Sequence, residues 1–183
     1  MINLNELYVK HYCPLGFTPF MNFCRLPKED AFALAREITA KHPNDKTFSR
    51  FHDFESHYSR RMDIEELLHS TFVSLGGKPK EQHPIYFVLH KSRTLVDYMG
   101  ASTLYEIKLA NIPCDDISFT LDDSMVAYKR DGMFTMYTKE TLQTHLANFN
   151  GTIDDYLLKL NEQYLCIEAQ IWNDNPVKGI ITI

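Results

Sequence analysis

Positive charge, long apolar runs, paired cysteines and glycine-rich loops are all scarce in this chain of 183 residues. Each scarcity removes a class of function. A formal net charge of −5 leaves no basic field of the kind that general nucleic-acid binding rests on. No apolar run approaches the roughly 18–20 residues of a membrane-spanning helix. The opening "MINLNELYVKHY" has no basic segment followed by an apolar one, so the expected location is the cytoplasm. The four cysteines, Cys13, Cys24, Cys114 and Cys166, are far apart and form no CxxC pair. They read as small hydrophobes of a reducing compartment, and no metal site is expected. Gly76-Gly77 stands at the end of a helical pattern, the wrong pole for phosphate. Ser92, Ser118 and Ser124 lie in no GxSxG elbow, which leaves a hydrolase triad without support.

What is abundant is aromatic surface: 10 Tyr and 12 Phe bring the aromatic fraction to 13%, with hydrophobic residues at 44% and charged ones at 23%. Such a chain can bury a real core, and its length fits a single domain over 1–183. Tyrosine, apolar in the ring and polar at the tip, suits a core that opens onto a polar cleft.

Two-residue alternation and apolar runs predict strands at 6–13, 83–89, 104–109, 117–121 and 164–172, and a closing strand over 177–183. Helices are expected over 27–43, 63–77, 138–149 and 152–164. Pro27, an Asp63/Glu66 capping pattern, and Thr138 and Thr152 as N-caps mark their starts. In the helix from Asp63 the inward stripe reads Ile64, Leu67, Leu68, Phe72 and Leu75. The resulting fold class is α+β: one domain with a mixed, partly antiparallel central sheet flanked by helices.

The stretch "RFHDFESHYSRR", residues 50–61, packs arginine, histidine and aromatic residues together without one aliphatic side chain. On a helix, Phe51, Phe54 and Tyr58 form an inward stripe, while Arg50, His57 and Arg61 border it. Arginines held by aromatic packing suit phosphate or carboxylate capture, with pairing to nearby acids as the alternative. At such a border Arg61 is expected to serve binding and to matter little for stability. Asp53 stands four residues before His57, where a carboxylate could orient the imidazole and raise its pKa, or simply form a helical charge pair. His52 and His57 point about 140° apart on a helix, which excludes a two-histidine metal face. His11 and Tyr12 end the first strand; Lys91 and Arg93 flank a candidate N-cap at Ser92. Asp115, Asp116, Asp122 and Asp123 flank a short strand as solvated turns or a magnesium site.

Glu168 is the odd residue of "YLCIEAQIW". Alternation puts Leu165, Ile167, Ala169 and Ile171 on one face and Cys166, Glu168, Gln170 and Trp172 on the other. A mid-strand carboxylate beside tryptophan either faces solvent or serves a cleft.

The closing segment "IEAQIWNDNPVKGI" resembles the last strand of ADP-ribosyltransferase domains, notably the DNA-targeting toxin family. In that fold a first strand carries His or Arg, a middle strand Ser-x-Thr, and a late strand the catalytic glutamate. His11, then Ser118 and Thr120 of "SFT", then Glu168 stand here in that order. No Gly-Thr follows His11, and Gln170 follows the glutamate rather than preceding it. The resemblance implies NAD as cofactor, bound in a split sheet, with Glu168 polarising the nicotinamide ribose.

The expectation is therefore a small cytoplasmic enzyme for an anionic, nucleotide-like ligand. Glu168, His11 and His57 are its catalytic candidates, and Arg50, Tyr58, Arg61, Tyr12 and Ser118 its binding candidates. The alternative is a regulatory or immunity-type module whose partner is a protein.

Overall fold

Alternation and proline punctuation translate into six strands in the computed structural model, which describes residues 1–180. They are β1 (Tyr8–Pro14), β2 (Ile85–Leu89), β3 (Ser102–Lys108), β4 (Ile117–Leu121), β5 (Met136–Thr138) and β6 (Ile167–Ile171). One sheet holds them in the order β3-β1-β2-β6-β4-β5. Every pair of neighbouring strands is antiparallel. A lone Asp122–Ile167 bridge supplies the parallel component. With helices on both faces, the fold class is α+β.

The helices are α1 (Lys28–Lys41), α2 (Phe54–Ser74), α3 (Arg93–Met99), α4 (Ser124–Asp131), α5 (Lys139–Ala147), α6 (Ile153–Leu160) and α7 (Asn175–Lys178). The expected caps do their work. Thr138 and Thr152 each form a reciprocal capping box, and Asp123 takes the Met125 and Val126 N–H groups at the start of α4. Gly132 ends α4 in the left-handed region, where a side chain would be strained.

One sheet face is apolar. Ile85, Phe87, Leu89, Ile117, Phe119, Ile167, Ala169 and Ile171 pack there against Leu142 and Leu146 of α5 and Leu157 and Leu160 of α6. The opposite face carries Tyr86, Ser118, Thr120, Glu168 and Gln170, and α2 lies across it with Ile64, Leu68 and Phe72 against Trp172. A third cluster joins Ala31, Ala35 and Ile38 of α1 to Phe48, Phe51 and Phe54.

Three expectations change. The helix expected to start at Asp63 begins nine residues earlier, at Phe54, and runs 21 residues without a break. Residues 61, 65, 68 and 72 continue the inward stripe, so Glu65, not Leu67, is the buried position: it is 0% exposed, against 39% for Leu67. The closing strand is replaced at its start by the short α7, where Pro176 fits the first helical turn. Residues 181–183 of that expectation lie outside the described residues.

Phe72 is fully buried and stacks on Trp172 with ring centroids 5.8 Å apart, fastening α2 to the sheet. Phe72→Ala should cost about 3–5 kcal/mol in urea unfolding. The adjacent Val73→Ala, on an exposed position, should stay within about 0.5 kcal/mol of wild type.

Candidate functional site

The sheet opens at one seam. β1 and β2 share only the pairs Val9–Leu89 and Lys10–Val88 before they diverge, although β1 continues along β3 to Pro14. Beyond that point the His11 ring bridges the strands: Nδ1 meets the Tyr86 carbonyl at 2.8 Å, and Nε2 accepts the Phe20 N–H at 3.2 Å. Those two bonds fix the tautomer with the proton on Nδ1. Burial lowers the pKa of His11, so the ring is neutral.

A cavity of about 880 Å³ lies over this seam, between the sheet, α2, α3 and the loop around residues 14–24. Lys10 through Pro14 of β1, Tyr86 through Val88 of β2, and Cys166 and Glu168 beside or on β6 reach it. Arg50, His57, Tyr58 and Arg61 come from the basic-aromatic stretch and border the same cavity. That stretch is a 3₁₀ segment (Lys46–Phe51), a turn, and the first turns of α2. Phe51 and Phe54 are buried as anchors; Tyr58 packs at their edge against Phe32 and Phe54. Phe17, Phe23, Phe48, Leu34 and Ile38 give the cavity a second, apolar end.

Arg61 is held from two sides. Its Nε donates to Glu65 Oε1 at 2.9 Å, and its guanidinium lies 3.8 Å from the centre of the Tyr86 ring. Glu65 is a hub: Oε1 also accepts Asn22 Nδ2 at 3.0 Å and the Tyr86 hydroxyl at 2.9 Å, and Oε2 meets His83 Nδ1 at 2.7 Å. Burial alone would raise the Glu65 pKa, but these donors outweigh it and the carboxylate is held below its usual range. Burial likewise opposes the Arg61 charge, yet Tyr86, Glu65, Glu168 and Asp123 leave it firmly cationic. The expectation that Arg61 matters little for stability therefore gives way. Its removal takes the guanidinium away from a carboxylate with no exposed surface, the kind of loss that costs about 3–5 kcal/mol.

Arg50 stacks on Phe51 at 4.6 Å and donates to the Thr47 carbonyl at 2.7 Å, with no ion pair among the described residues. His57 sits beside Arg50 and Arg61. Burial first, then the arginine charges, push its pKa down to about 4, so it is neutral and opposite in character to the raised base that an Asp53 partner would make. Asp53 meets His57 only through its backbone carbonyl.

Glu168 pairs across the sheet with Val88 and Thr120, beneath the cavity. One oxygen, Oε2, accepts Gln170 Nε2 at 2.9 Å, the Ser124 N–H at 3.2 Å and Thr120 Oγ1 at 3.4 Å. The chain turns toward it at Asp122, a buried residue at φ 76° held by Arg130 and the Leu165 N–H. Burial and the nearby Asp123 charge raise the Glu168 pKa to about 7; Arg61 and the bonds from Ser124 and Gln170 oppose them.

Ser118 does not join this group. It donates to Gln170 Oε1 and accepts Trp172 Nε1, both at 2.9 Å, with no exposed surface and no place on the cavity. A hydroxyl opposite glutamine and tryptophan on a covered sheet face is used up by them. His11 reaches the cavity, but with both ring nitrogens occupied it shapes the seam and has no lone pair for proton transfer. Tyr12 lines the cavity. Lys91 is paired with Asp154, and the four aspartates around β4 are separately engaged by Lys78, Asn173, Arg130 and the α4 N-terminus. Sequence reasoning offers no signal for Tyr86, Asn22 or His83, reads Cys24 as a small hydrophobe, and has Glu65 only as one of several nearby acids that could pair with the arginines. The i, i+4 spacing of Arg61 and Glu65 on an otherwise apolar stripe was the available signal.

Among known proteins, no family model, no curated protein and no solved structure matches this chain.

The raised Glu168 has a signed consequence. A folded-state pKa above the unfolded value means that the folded protein holds the proton through the window from about 4.5 to about 7. Its stabilising contribution is present below that window and is lost as pH rises through it, by on the order of 1–3 kcal/mol. Glu168→Gln stays neutral and lacks this loss. Urea unfolding at pH 5, 6, 7 and 8 should show wild type losing stability relative to the variant as pH rises; parallel curves would place the Glu168 pKa at its ordinary value.

Proposed function

We propose that this protein is a small enzyme that binds an anionic, nucleotide-like ligand in the cavity at the β1–β2 seam. A single observation carries the reading: two cationic guanidiniums, a carboxyl titrating near neutrality and an aromatic wall share one concave space of about 880 Å³. Arg50 and Arg61 are set in place by aromatic packing before any ligand arrives, so they lose little freedom on capturing phosphate. The apolar end around Phe17, Phe23 and Phe48 suits a base or another planar group. A protein-binding module would offer a flat face with anchors around an apolar patch; concavity and perturbed titration favour the enzyme.

The reaction class we propose is ADP-ribosyl transfer, with NAD as the donor. Its support is the divergence of β1 from β2, the order of His11, Thr120 and Glu168 along the chain, and the place of Glu168 in the middle of β6 at the cavity floor. The ionised carboxylate of Glu168 would accept a ribose hydroxyl and stabilise positive charge developing on the sugar. Tyr12 and Tyr58 would line the ligand's path, and neutral His57 would serve as a hydrogen-bonding group rather than as a base. His11 is a positioning residue through its bond to the Tyr86 carbonyl. The cytoplasm is the compartment we propose, in keeping with free thiols at all four cysteines.

Thermal unfolding with NAD, ADP-ribose, nucleoside diphosphates and pyrophosphate tests the reading. At about 100 times its dissociation constant a true ligand should add roughly 2.7 kcal/mol to stability. Arg50→Gln should fold normally and weaken that ligand at least about tenfold, because a charge-assisted bond is lost without freeing a buried acid. No shift with any member of the panel would return the protein to the partner-binding class.

A further inference from the structure

Behind the anion-binding wall, three residues from separate segments bring metal-ligating atoms together. Cys24 follows the loop that caps the seam, Glu65 belongs to α2, and His83 precedes β2. Their ligand atoms all lie within 4.8 Å of one another. Cys24 is 7% exposed and Glu65 is 0% exposed, and the His83 side chain keeps 15%. We propose that Cys24 Sγ, Glu65 Oε2 and His83 Nδ1 form a site for one divalent transition-metal ion of the zinc type.

The two oxygens of Glu65 are divided in the way such a site needs. Oε1 is taken by Arg61, Asn22 and Tyr86, and these three donors fix the plane of the carboxylate. Oε2 meets His83 Nδ1, and the Cys24 thiol also hydrogen-bonds this carboxylate. Outer bonds that orient a ligand while leaving one lone pair free are the usual support of metal sites. Sulfur, imidazole nitrogen and carboxylate oxygen are each ordinary zinc ligands, and three protein ligands leave one tetrahedral position for water or a ligand. Bond lengths of about 2.0–2.3 Å put neighbouring ligand atoms about 3.5 Å apart around the ion. The 2.7 Å between His83 and Glu65 must therefore open by roughly 0.8 Å, and Cys24, within 4.8 Å of both, must close toward them.

Charge permits it. The ion enters as its Cys24 proton leaves to solvent and the His83 proton moves to Nε2. The dication, thiolate, carboxylate and Arg61 then sum to +1. An ion here would tie the 22–24 loop, α2 and the approach to β2 together beneath Arg61. It would stiffen the wall that the anion meets. Nothing in this proposal depends on which ligand occupies the cavity.

Cobalt(II) titration of the full-length protein under a non-thiol reductant is the test, with zinc(II) as competitor. The expected result is saturable binding of one equivalent, with a thiolate-to-cobalt charge-transfer band that zinc removes. Cys24→Ser should abolish the band, and His83→Gln should weaken binding at least about tenfold. Cys114→Ser, at an exposed thiol outside the cluster, should leave both intact. No saturable cobalt binding overturns the proposal, as does a band that survives Cys24→Ser. Should Cys24→Ser fail to fold, His83→Gln decides: unchanged affinity overturns the proposal and a tenfold loss supports it. Because nucleotide binding is read separately by thermal shift, failure here leaves the reading of the cavity standing.

Discussion

The contact on which the rest depends is the buried pairing of Glu65 with Arg61. An ionised carboxylate without exposed surface is tolerable only if its lone pairs are occupied, and here four donors from α2, β2 and two loops converge on it. Satisfying Glu65 therefore fixes the distance between α2 and the sheet, and with it the height of the cavity. The same bonds set the plane of the Arg61 guanidinium against the Tyr86 ring. A group needed to fasten a helix is thereby held at the edge of the cavity that Arg50 also lines.

The two sheet faces divide the labour. The face under α5 and α6 is filled by aliphatic and phenylalanine side chains and does nothing but hold the strands. The other face carries a ladder of hydroxyls, an amide and a carboxyl, from Trp172 and Ser118 through Gln170 to Glu168. Each donor in that ladder is answered by the next acceptor, so the row stays dry under α2 until it reaches Glu168. There the covering helix gives way to the seam between β1 and β2, and Glu168, whose Oε2 takes the last donors of the row, also lines the cavity. The raised pKa follows from that position: buried at the cavity floor, beside Asp123, with Arg61 as the compensating cation.

Much of this was readable beforehand. Alternation separated Glu168, Gln170 and Trp172 from Ile167, Ala169 and Ile171, and aromatic spacing put Phe51 and Phe54 inward with Arg50 and Arg61 at the border. What could not be read was a buried charge. Leu67 and Glu65 compete for the inward stripe of α2, and hydropathy alone favours leucine; only Arg61 together with three partners gathered from other segments reverses that choice. Ser118 and His11 misled for the same reason. Their chemistry suits a site, but Gln170, Trp172, Tyr86 and Phe20 claim their atoms, and such claims depend on register across strands. The early start of α2 was hidden because Asp63 and Glu66 make a credible capping pattern in mid-helix, where continuous packing outweighs local preference.

The central claim is that Arg50 and Arg61 are anion-capturing groups at the mouth of a cavity floored by Glu168. Nitrogen-15 NMR of the arginine side-chain Nε–H signals, followed during titration with ADP-ribose, reads it most directly. Saturable movement of the Arg50 and Arg61 signals, with those of Arg36, Arg93 and Arg130 unmoved, is the result this account predicts. Saturation that moves other arginines and leaves these two in place, or no saturable movement at all, would contradict it.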